Sequence, residues 1–435
     1  MPEIFPEAHL RALEAALDDA LANVPFYSRW PAQVSGQAAP VLARFRALPT
    51  LSRRELRAGF PRQFTPKGRD LKAALEAAEV ELVATSGTTE DRVQVIWWQA
   101  WWDAQEQGQY LQGHPLSREV WSRGFREAVL TTPVCSAGVC HVGDLPMKER
   151  IWERMLFLNQ KADPAHWSEK DLARMAAELC EYAPEALEAD PAYLAALCRY
   201  AVARGIPLHR PRYIGLTYEF ISRTHLRAIR AAFGEVPIVN SYGSTEAGCL
   251  HMSCEHGRLH PNLGWTHCDV VPLKPEHGGP NLGRLVASVL QNPWLKLLRY
   301  ETSDLVRRAE TACPCGREGE SLLKIEGRLK DVTFAPDGTL VTVERIDAAI
   351  GELEGLEQYQ LVQEAPERYL VRYVPAADAR SALESELRAR LAEVYPGGEL
   401  LLQRETTLAP EPSGKYRLAR TELPIDASAL FAEAA

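Results

Sequence analysis

Leu10, Leu13, Leu17 and Leu21 recur at helical spacing, and the helix they predict stops before Asn23–Tyr27, where Pro25 bars its continuation. Ser52 then offers an N-cap for a second short helix. Short apolar runs at 80–84, 213–216 and 236–239 predict buried strands. Between the last two lies a helix over 224–233, with Leu226, Ile229 and Phe233 on one face and Gly234 as its stop, so the segment reads as a parallel strand, helix, strand crossover. Trp97, Trp98, Trp101 and Trp102 predict a broad aromatic face on a helix, best explained as core packing. Ser168 with Asp171, and Asp190 with Pro191, start two further helices carrying Leu172, Met175 and Leu179, then Leu194 and Leu197; Cys180 and Cys198 on them read as core.

Beyond the charged turn Glu326–Asp331 the pattern changes. Asp337 and Gly338 signal a hairpin, Ile346 and Ile350 a short helix, 359–374 two alternating strands, and Leu383, Leu387 and Leu391 a helix ending before Pro396. The expectation is an α/β protein. A large N-terminal domain, residues 1–327, has parallel and mixed sheets covered by helices, and a small mobile α+β domain occupies 328–435.

Length and composition agree with this division. A chain of 435 residues exceeds one ordinary core, and 46% hydrophobic with 25% charged residues is the balance of a globular protein. A net charge of −9 argues against nucleic acid or a membrane surface as a general partner. The start MPEIFPEAHL lacks the pattern of a secretory signal and no run is long enough to span a bilayer, so a cytoplasmic protein is expected. The sequence is compatible with a homodimer. Nine cysteines in a long chain leave thiols for metal or burial instead of a disulfide framework.

Candidate chemistry gathers at strand ends. In Ser241–Gly248 (SYGSTEAG), Tyr242 offers a ring to a base, Thr245 a hydroxyl to a phosphate and Glu246 a carboxylate to a hard cation. Thr85–Arg92 (TSGTTEDR) is a hydroxyl-rich turn suited to polyphosphate, though not a Walker A loop. Cys135, Cys140 and His141 lie in a small-residue stretch that reads as core or pocket wall ahead of a metal site. Cys254, His260, Cys313 and Cys315 form a plausible four-ligand zinc set, with His256 competing for the nitrogen position; four protein ligands would make it structural. Asp304 after an apolar strand suits a pair of ribose hydroxyls, and Lys415 lies on a glycine-containing loop near the C-terminus.

In this order TSGTTEDR, SYGSTEAG, RYETSD, GRLKD and PSGK resemble the signature set of the adenylate-forming ligases. Asn23–Tyr27, the segment LPTLSRREL, and CEHGRLH paired with CPCGR resemble its phenylacetate–CoA ligase branch. The resemblance implies that Thr85, Ser86, Gly87, Thr88 and Thr89 enclose the β- and γ-phosphates of ATP, that Tyr242, with Gly243 beside it, lies against adenine, and that Gly215, Leu216 and Thr217 pass beside adenine and the acid pocket. Thr245 would contact the α-phosphate, Glu246 would bind Mg²⁺, and Asp304 with Arg328 would hold the ribose. Lys415 would stabilise charge as the carboxylate attacks, and Zn²⁺ would be structural. Glu90 stands where the family usually carries glycine.

The function so implied is ATP-dependent, AMP-forming activation of a small carboxylic acid, with CoA as acceptor. Trp97–Trp102 and Tyr213–Phe220 point to an aryl or apolar acid. Transfer to an amine or carrier protein, AMP transfer to a cofactor, and nucleotide binding without turnover are the competing readings.

Overall fold

Residues 5–30, 39–85, 92–131, 144–161, 164–411 and 414–432 are described by a computed structural model. Ser86, Gly87, Thr88, Thr89 and Glu90 of the hydroxyl-rich turn, and Cys135, Cys140 and His141, lie outside the described residues.

The run at 80–84 forms Glu81–Ala84, which pairs with Gln94–Trp97 in a separate two-stranded sheet, whereas the strands read at 213–216 and 236–239 enter a twelve-stranded sheet. In its centre Glu127–Leu130, Ala186–Ala189, Tyr213–Leu216 and Ile238–Ser244 run parallel, with Glu188 registered on Gly215 and Gly215 on Val239. Beyond Ile238–Ser244 the sheet continues antiparallel through Gly248–Ser253, Leu259–Pro261, Leu322–Arg328, Tyr300–Arg308, Leu282–Val289 and Thr266–Pro272.

Alternation decides what each face of the parallel half meets. Leu187, Ala189, Ile214 and Leu216 point to the helices Glu169–Tyr182, Pro191–Arg204 and Arg223–Phe233, forming one buried cluster with Met175, Leu194, Leu197 and Ile229. Ala186, Tyr213 and Val239 on the other face pack with Tyr110 and Val120 from the helices Gln99–Gln112 and Pro115–Arg123. The predicted caps are in place: Ser168 and Asp171 close a capping box, and Asp190 accepts from the N–H groups of Ala192 and Tyr193. The N-terminal helix Glu7–Asn23 covers the antiparallel half through Leu13, Leu17 and Ala20.

After Arg328 a single turn, Leu329–Asp331, leads to a four-stranded sheet in the order Glu399–Arg404, Arg368–Pro375, Leu356–Ala365 and Ala419–Thr421, packed on the helices Val343–Ile350 and Leu383–Val394. Arg223 joins this unit to the large sheet by pairing with Asp347 at 2.7 Å and Glu344 at 2.9 Å. The chain then crosses back. Phe431 bridges to Leu273, the Leu430 carbonyl accepts from Lys274 N–H at 2.9 Å, and Leu430 and Phe431 share a buried cluster with Leu282, Leu305, Val332 and Leu340.

Four local expectations change. Cys180, read as core, is exposed, whereas Cys198 is buried. The strand expected over 236–239 runs from Ile238 to Ser244, so half of the octet is strand, because Ser241 and Tyr242 pair antiparallel with Met252 and His251. Trp97 ends the strand Gln94–Trp97 and Trp98 precedes the helix, yet Trp97 still stacks on Trp102 with ring centroids 4.2 Å apart. Asp304 lies inside the strand Tyr300–Arg308, where it is registered on Arg328.

Candidate active site

The candidate site lies beyond the carboxyl ends of the parallel strands, the crevice where a ligand usually binds in such sheets. Tyr242 donates its hydroxyl to Asp304 at 2.7 Å, and Arg328 lies 3.5 Å from the same carboxylate on the neighbouring strand. The three form a connected group of ring, carboxylate and guanidinium, drawn from segments 86 residues apart at their extremes, 242 to 328. Gly243 sits against the next strand: a Cβ there would come 2.5 Å from the Gly248 carbonyl oxygen. Thr245 is half-buried in the turn that follows the strand, a turn closed by Ala247 N–H donating to Ser244 Oγ at 3.1 Å.

Glu246 is 5% exposed and already engaged. Its Oε1 accepts from Arg53 Nη2 at 2.7 Å and from Tyr300 Oη at 2.9 Å. Arg53 comes from the segment read only as a capped helix, and nothing in its spacing marked it as a partner of Glu246. Thr85 closes the base of its loop, donating its N–H to the Val93 carbonyl at 2.9 Å and accepting from Val93 N–H at 3.2 Å. Gly215 and Leu216 are buried strand residues, and Thr217 follows them with its N–H on the Ala189 carbonyl at 3.1 Å.

Lys415 enters this cleft from the far end of the chain. Its Nζ donates to the Tyr218 carbonyl at 2.7 Å. Residues on both sides are also held: the Gly414 carbonyl accepts from Tyr193 Oη at 3.0 Å, and Tyr416 N–H donates to Glu219 Oε2 at 2.8 Å. Burial depresses the lysine, Arg328 adds to this, and Glu219, Asp190 and Asp304 oppose it. Asp190 and Glu219 lie beside one another; burial pushes Asp190 up to about 6, and burial with Asp190 beside it raises Glu219. Two neighbouring buried carboxyls cannot both ionise readily, which favours the protonated form of one of them beside the lysine. Asp190 was legible as a helix cap; its second face on Glu219 was not.

The Cys254, His260, Cys313 and Cys315 ligand atoms all lie within 4.8 Å of one another. Cys254 Sγ is 3.6 Å from Cys313 Sγ, and Cys315 Sγ is 3.3 Å from His260 Nε2. A tetrahedral zinc with ordinary Zn–S and Zn–N bonds spaces its ligands by about 3.3–3.8 Å, so the donor set fits that ion. His256 instead gives its backbone N–H to Cys254 Sγ at 3.3 Å and is not one of the clustered side chains. A separate cavity of about 400 Å³ lined by Leu282, Arg307, Lys324, Thr342 and Arg345 includes none of the cleft residues.

No protein-family model matches the chain. A phenylacetate–coenzyme A ligase of Thermus thermophilus is 27% identical over 193 residues, a segment covering 42% of this chain and 42% of that protein, less than half of either. Among solved structures, 2-hydroxyisobutyryl–CoA ligase in its postadenylation state with 2-HIB-AMP has a TM-score of 0.69 at 18% identity, covering 98% of this chain and 91% of that one. The same ligase in its thioesterification state, with 2-HIB-AMP and CoA, has a TM-score of 0.54 at 19% identity, over 96% and 91% of the chains. The chain has the fold of the adenylate-forming, acyl-AMP ligase superfamily.

Proposed function

We propose that this protein is an ATP-dependent, AMP-forming ligase that activates a small carboxylic acid as its acyl-adenylate and passes the acyl group to CoA. The observation that carries the reading is the seating of Lys415, from the last strand-connecting loop, in the same cleft as Tyr242, Asp304 and Arg328. A nucleotide-binding protein without turnover has no use for a lysine delivered there by a separate unit.

The chemistry asks for charge neutralisation. A carboxylate oxygen attacks an anionic α-phosphorus, a P–O bond forms, and pyrophosphate leaves with the electrons of the bond it breaks. Lys415 supplies positive charge to the attacking carboxylate and α-phosphate, and Thr245 a hydroxyl on the same group. Asp304, held by Tyr242 and Arg328, takes the ribose hydroxyls, while the Tyr242 ring and Gly243 with Gly215–Thr217 border the base. The turn begun by Thr85 holds the leaving pyrophosphate. Glu246 is the residue that would hold Mg²⁺, which screens phosphate charge when bound; Arg53 then has to share or release the carboxylate it now grips. In the second step the CoA thiolate attacks the acyl carbon and AMP departs. The greater similarity to the postadenylation arrangement supports reading the present seat of Lys415 as that of the first half reaction. Cys254, His260, Cys313 and Cys315 would hold a structural Zn²⁺ with no open position for substrate.

The test is acid-dependent exchange of pyrophosphate into ATP across a panel of aryl and aliphatic acids, with thioester formation measured when CoA is added. Lys415→Ala is expected to lose about 10²–10³-fold in exchange while retaining ATP affinity. Full exchange in that variant overturns the assignment, and absence of exchange with every acid overturns the activity.

A further inference from the structure

Glu246 and Arg53 form a pair that the chemistry above requires to part, and the way they meet shows what becomes of each. Glu246 is 5% exposed, and both of its donors converge on one oxygen: Arg53 Nη2 at 2.7 Å and Tyr300 Oη at 2.9 Å reach Oε1. These bonds leave Oε2 out. A guanidinium that fastens a carboxylate for good takes both oxygens with two parallel N–H groups. Arg53 instead turns its Nε to the Tyr300 hydroxyl at 3.3 Å, so ring, guanidinium and carboxylate close a triangle with Oε2 outside it.

The members of this triangle differ in how firmly they are mounted. Tyr300 is fully buried and opens the strand Tyr300–Arg308 in the antiparallel half of the sheet. Arg53 arrives on a separate segment laid along that strand. Leu51 bridges to Tyr300, donating its N–H to the Arg299 carbonyl at 2.8 Å and accepting from Glu301 N–H at 3.0 Å. A capping box between Ser52 and Glu55 then makes Arg53 the first residue of the helix Arg53–Gly59. A positive charge is least favoured at that end of a helix, so the helix itself gives no reason for it. The Arg53 side chain is 29% exposed, against 4% for that of Glu246. The backbone under Arg53 is fixed, and its part-exposed side chain is the arm that can turn.

A divalent cation on Glu246 cannot share Oε1 with a guanidinium at hydrogen-bond distance without like charges meeting. Around an octahedral Mg²⁺, with oxygens at about 2.1 Å, neighbouring ligands lie about 3 Å apart, so a phosphate oxygen sharing the ion with Glu246 falls about 3 Å from its carboxylate. Arg53 Nη2 already stands 2.7 Å from that carboxylate, and a turn of its side chain carries it from one anion to the other. Arg328, which lies beside Asp304, is in the field of both Arg53 and Glu246, so the pair borders the ribose side of the site.

We infer that Arg53 is a resident counter-cation: without nucleotide it closes Glu246 to divalent metal, and when nucleotide and Mg²⁺ enter together it exchanges the carboxylate for a phosphate oxygen. Tyr300 is the positioning residue that keeps Glu246 aimed through the exchange. This rests on the nucleotide- and Mg²⁺-binding roles proposed above. The consequence is order of binding: metal alone binds poorly, and the charge that leaves Glu246 joins the neutralisation of the triphosphate.

The experiment titrates the full-length protein with Mn²⁺, read by electron paramagnetic resonance of the free ion, and separately measures the affinity for α,β-methylene-ATP at saturating Mg²⁺ by calorimetry. Arg53→Ala is expected to bind Mn²⁺ alone at least about tenfold more tightly, because the competitor for Glu246 is gone. The same variant is expected to bind the nucleotide about tenfold less tightly, because one charge-assisted phosphate contact is lost. A merely structural arginine would weaken both or neither. Adding Glu246→Gln to Arg53→Ala is expected to abolish the gain in Mn²⁺ affinity, which ties it to this carboxylate. Arg53→Gln, which keeps much of the side chain's bulk, guards against loss of the fold and is expected to show the same two opposite changes. Mn²⁺ affinity unchanged or lowered in both Arg53 variants, or nucleotide affinity unchanged or raised, overturns the inference while nucleotide binding stands. An unaltered protein that binds no α,β-methylene-ATP overturns the nucleotide-binding reading itself, and the inference with it.

Discussion

Lys415 shows how much one side chain depends on groups the sequence does not place beside it. Its loop was recognisable because a lysine after Ser413 and Gly414 closes an ordered set of motifs. Its seat was not, since Tyr193, Tyr218 and Glu219 are ordinary residues whose importance comes from the crossing of chain segments 197 to 221 residues apart. Glu219→Gln is expected to weaken the seat in a particular way: exchange falls, while thioester formation from supplied acyl-adenylate is spared, and the ratio of the two rates checks it. His9 gives the clearest dependence on pH. Gly264 N–H donates to His9 Nδ1 at 3.1 Å, so the proton sits on Nε2, which faces His267 Nδ1 at 3.1 Å; burial, then His267, lower its pKa from 6.5 to about 3. A histidine depressed on folding contributes stability that is whole above 6.5 and is lost as pH falls below it toward the folded value. The loss runs at about 1.4 kcal/mol per pH unit for this one group. His9→Gln is expected to be less stable at neutral pH and to lose less of what remains on acidification, which urea midpoints between about pH 7.5 and about pH 5 will register.

At the scale of elements, patterning located most strands and helices but missed where the central octet changes character. The strand Ile238–Ser244 is parallel to one neighbour and antiparallel to the other, and no local preference announces such a change of partner. Gly243 is the residue that permits it. Gly243→Ala would drive a methyl into the Gly248 carbonyl and is expected to cost about 1–3 kcal/mol, with a matching loss of ATP affinity measured by calorimetry. With zinc bound, the cysteine set would also be an element-scale device, pinning the segment after Gly248–Ser253 to the loop that follows Tyr300–Arg308. From that loop Arg317 donates to the Gly113 carbonyl at 2.6 Å, at the end of the helix that carries Glu106, Gln109 and Tyr110. Cys313→Ser, or chelation, is therefore expected to release one zinc per chain and lower the Tm. Unchanged metal content and Tm in that variant would remove the zinc assignment.

For the whole molecule, the sequence pattern changes after Asp331, and there the chain forms a two-stranded ribbon, Thr333–Phe334 with Leu340–Val341, and the helix Val343–Ile350 before it enters the four-stranded sheet at Leu356. What patterning could not show is the return of 425–432 to the large sheet, because Leu430 and Phe431 are too few to mark where they dock; their site is built from Leu273, Leu282 and Leu305, with Arg284 lying 4.5 Å above the Phe431 ring. Truncation after Thr421 is expected to uncover that apolar site and lower the Tm by several degrees, as a lost burial of about 3–5 kcal/mol would. That return has a mechanical meaning. A unit joined by one linker behaves as a ball on a cord and samples orientations in every direction. Here the polypeptide passes between the two bodies at 329–332 and again at 422–427, and Val332 and Phe431 share one cluster beside both passages. For a small unit that turns at 329–331, two nearby attachments would make a door, not a ball joint: they would leave one easy axis, along which Lys415 would leave its seat on the Tyr218 carbonyl and return to it without a search.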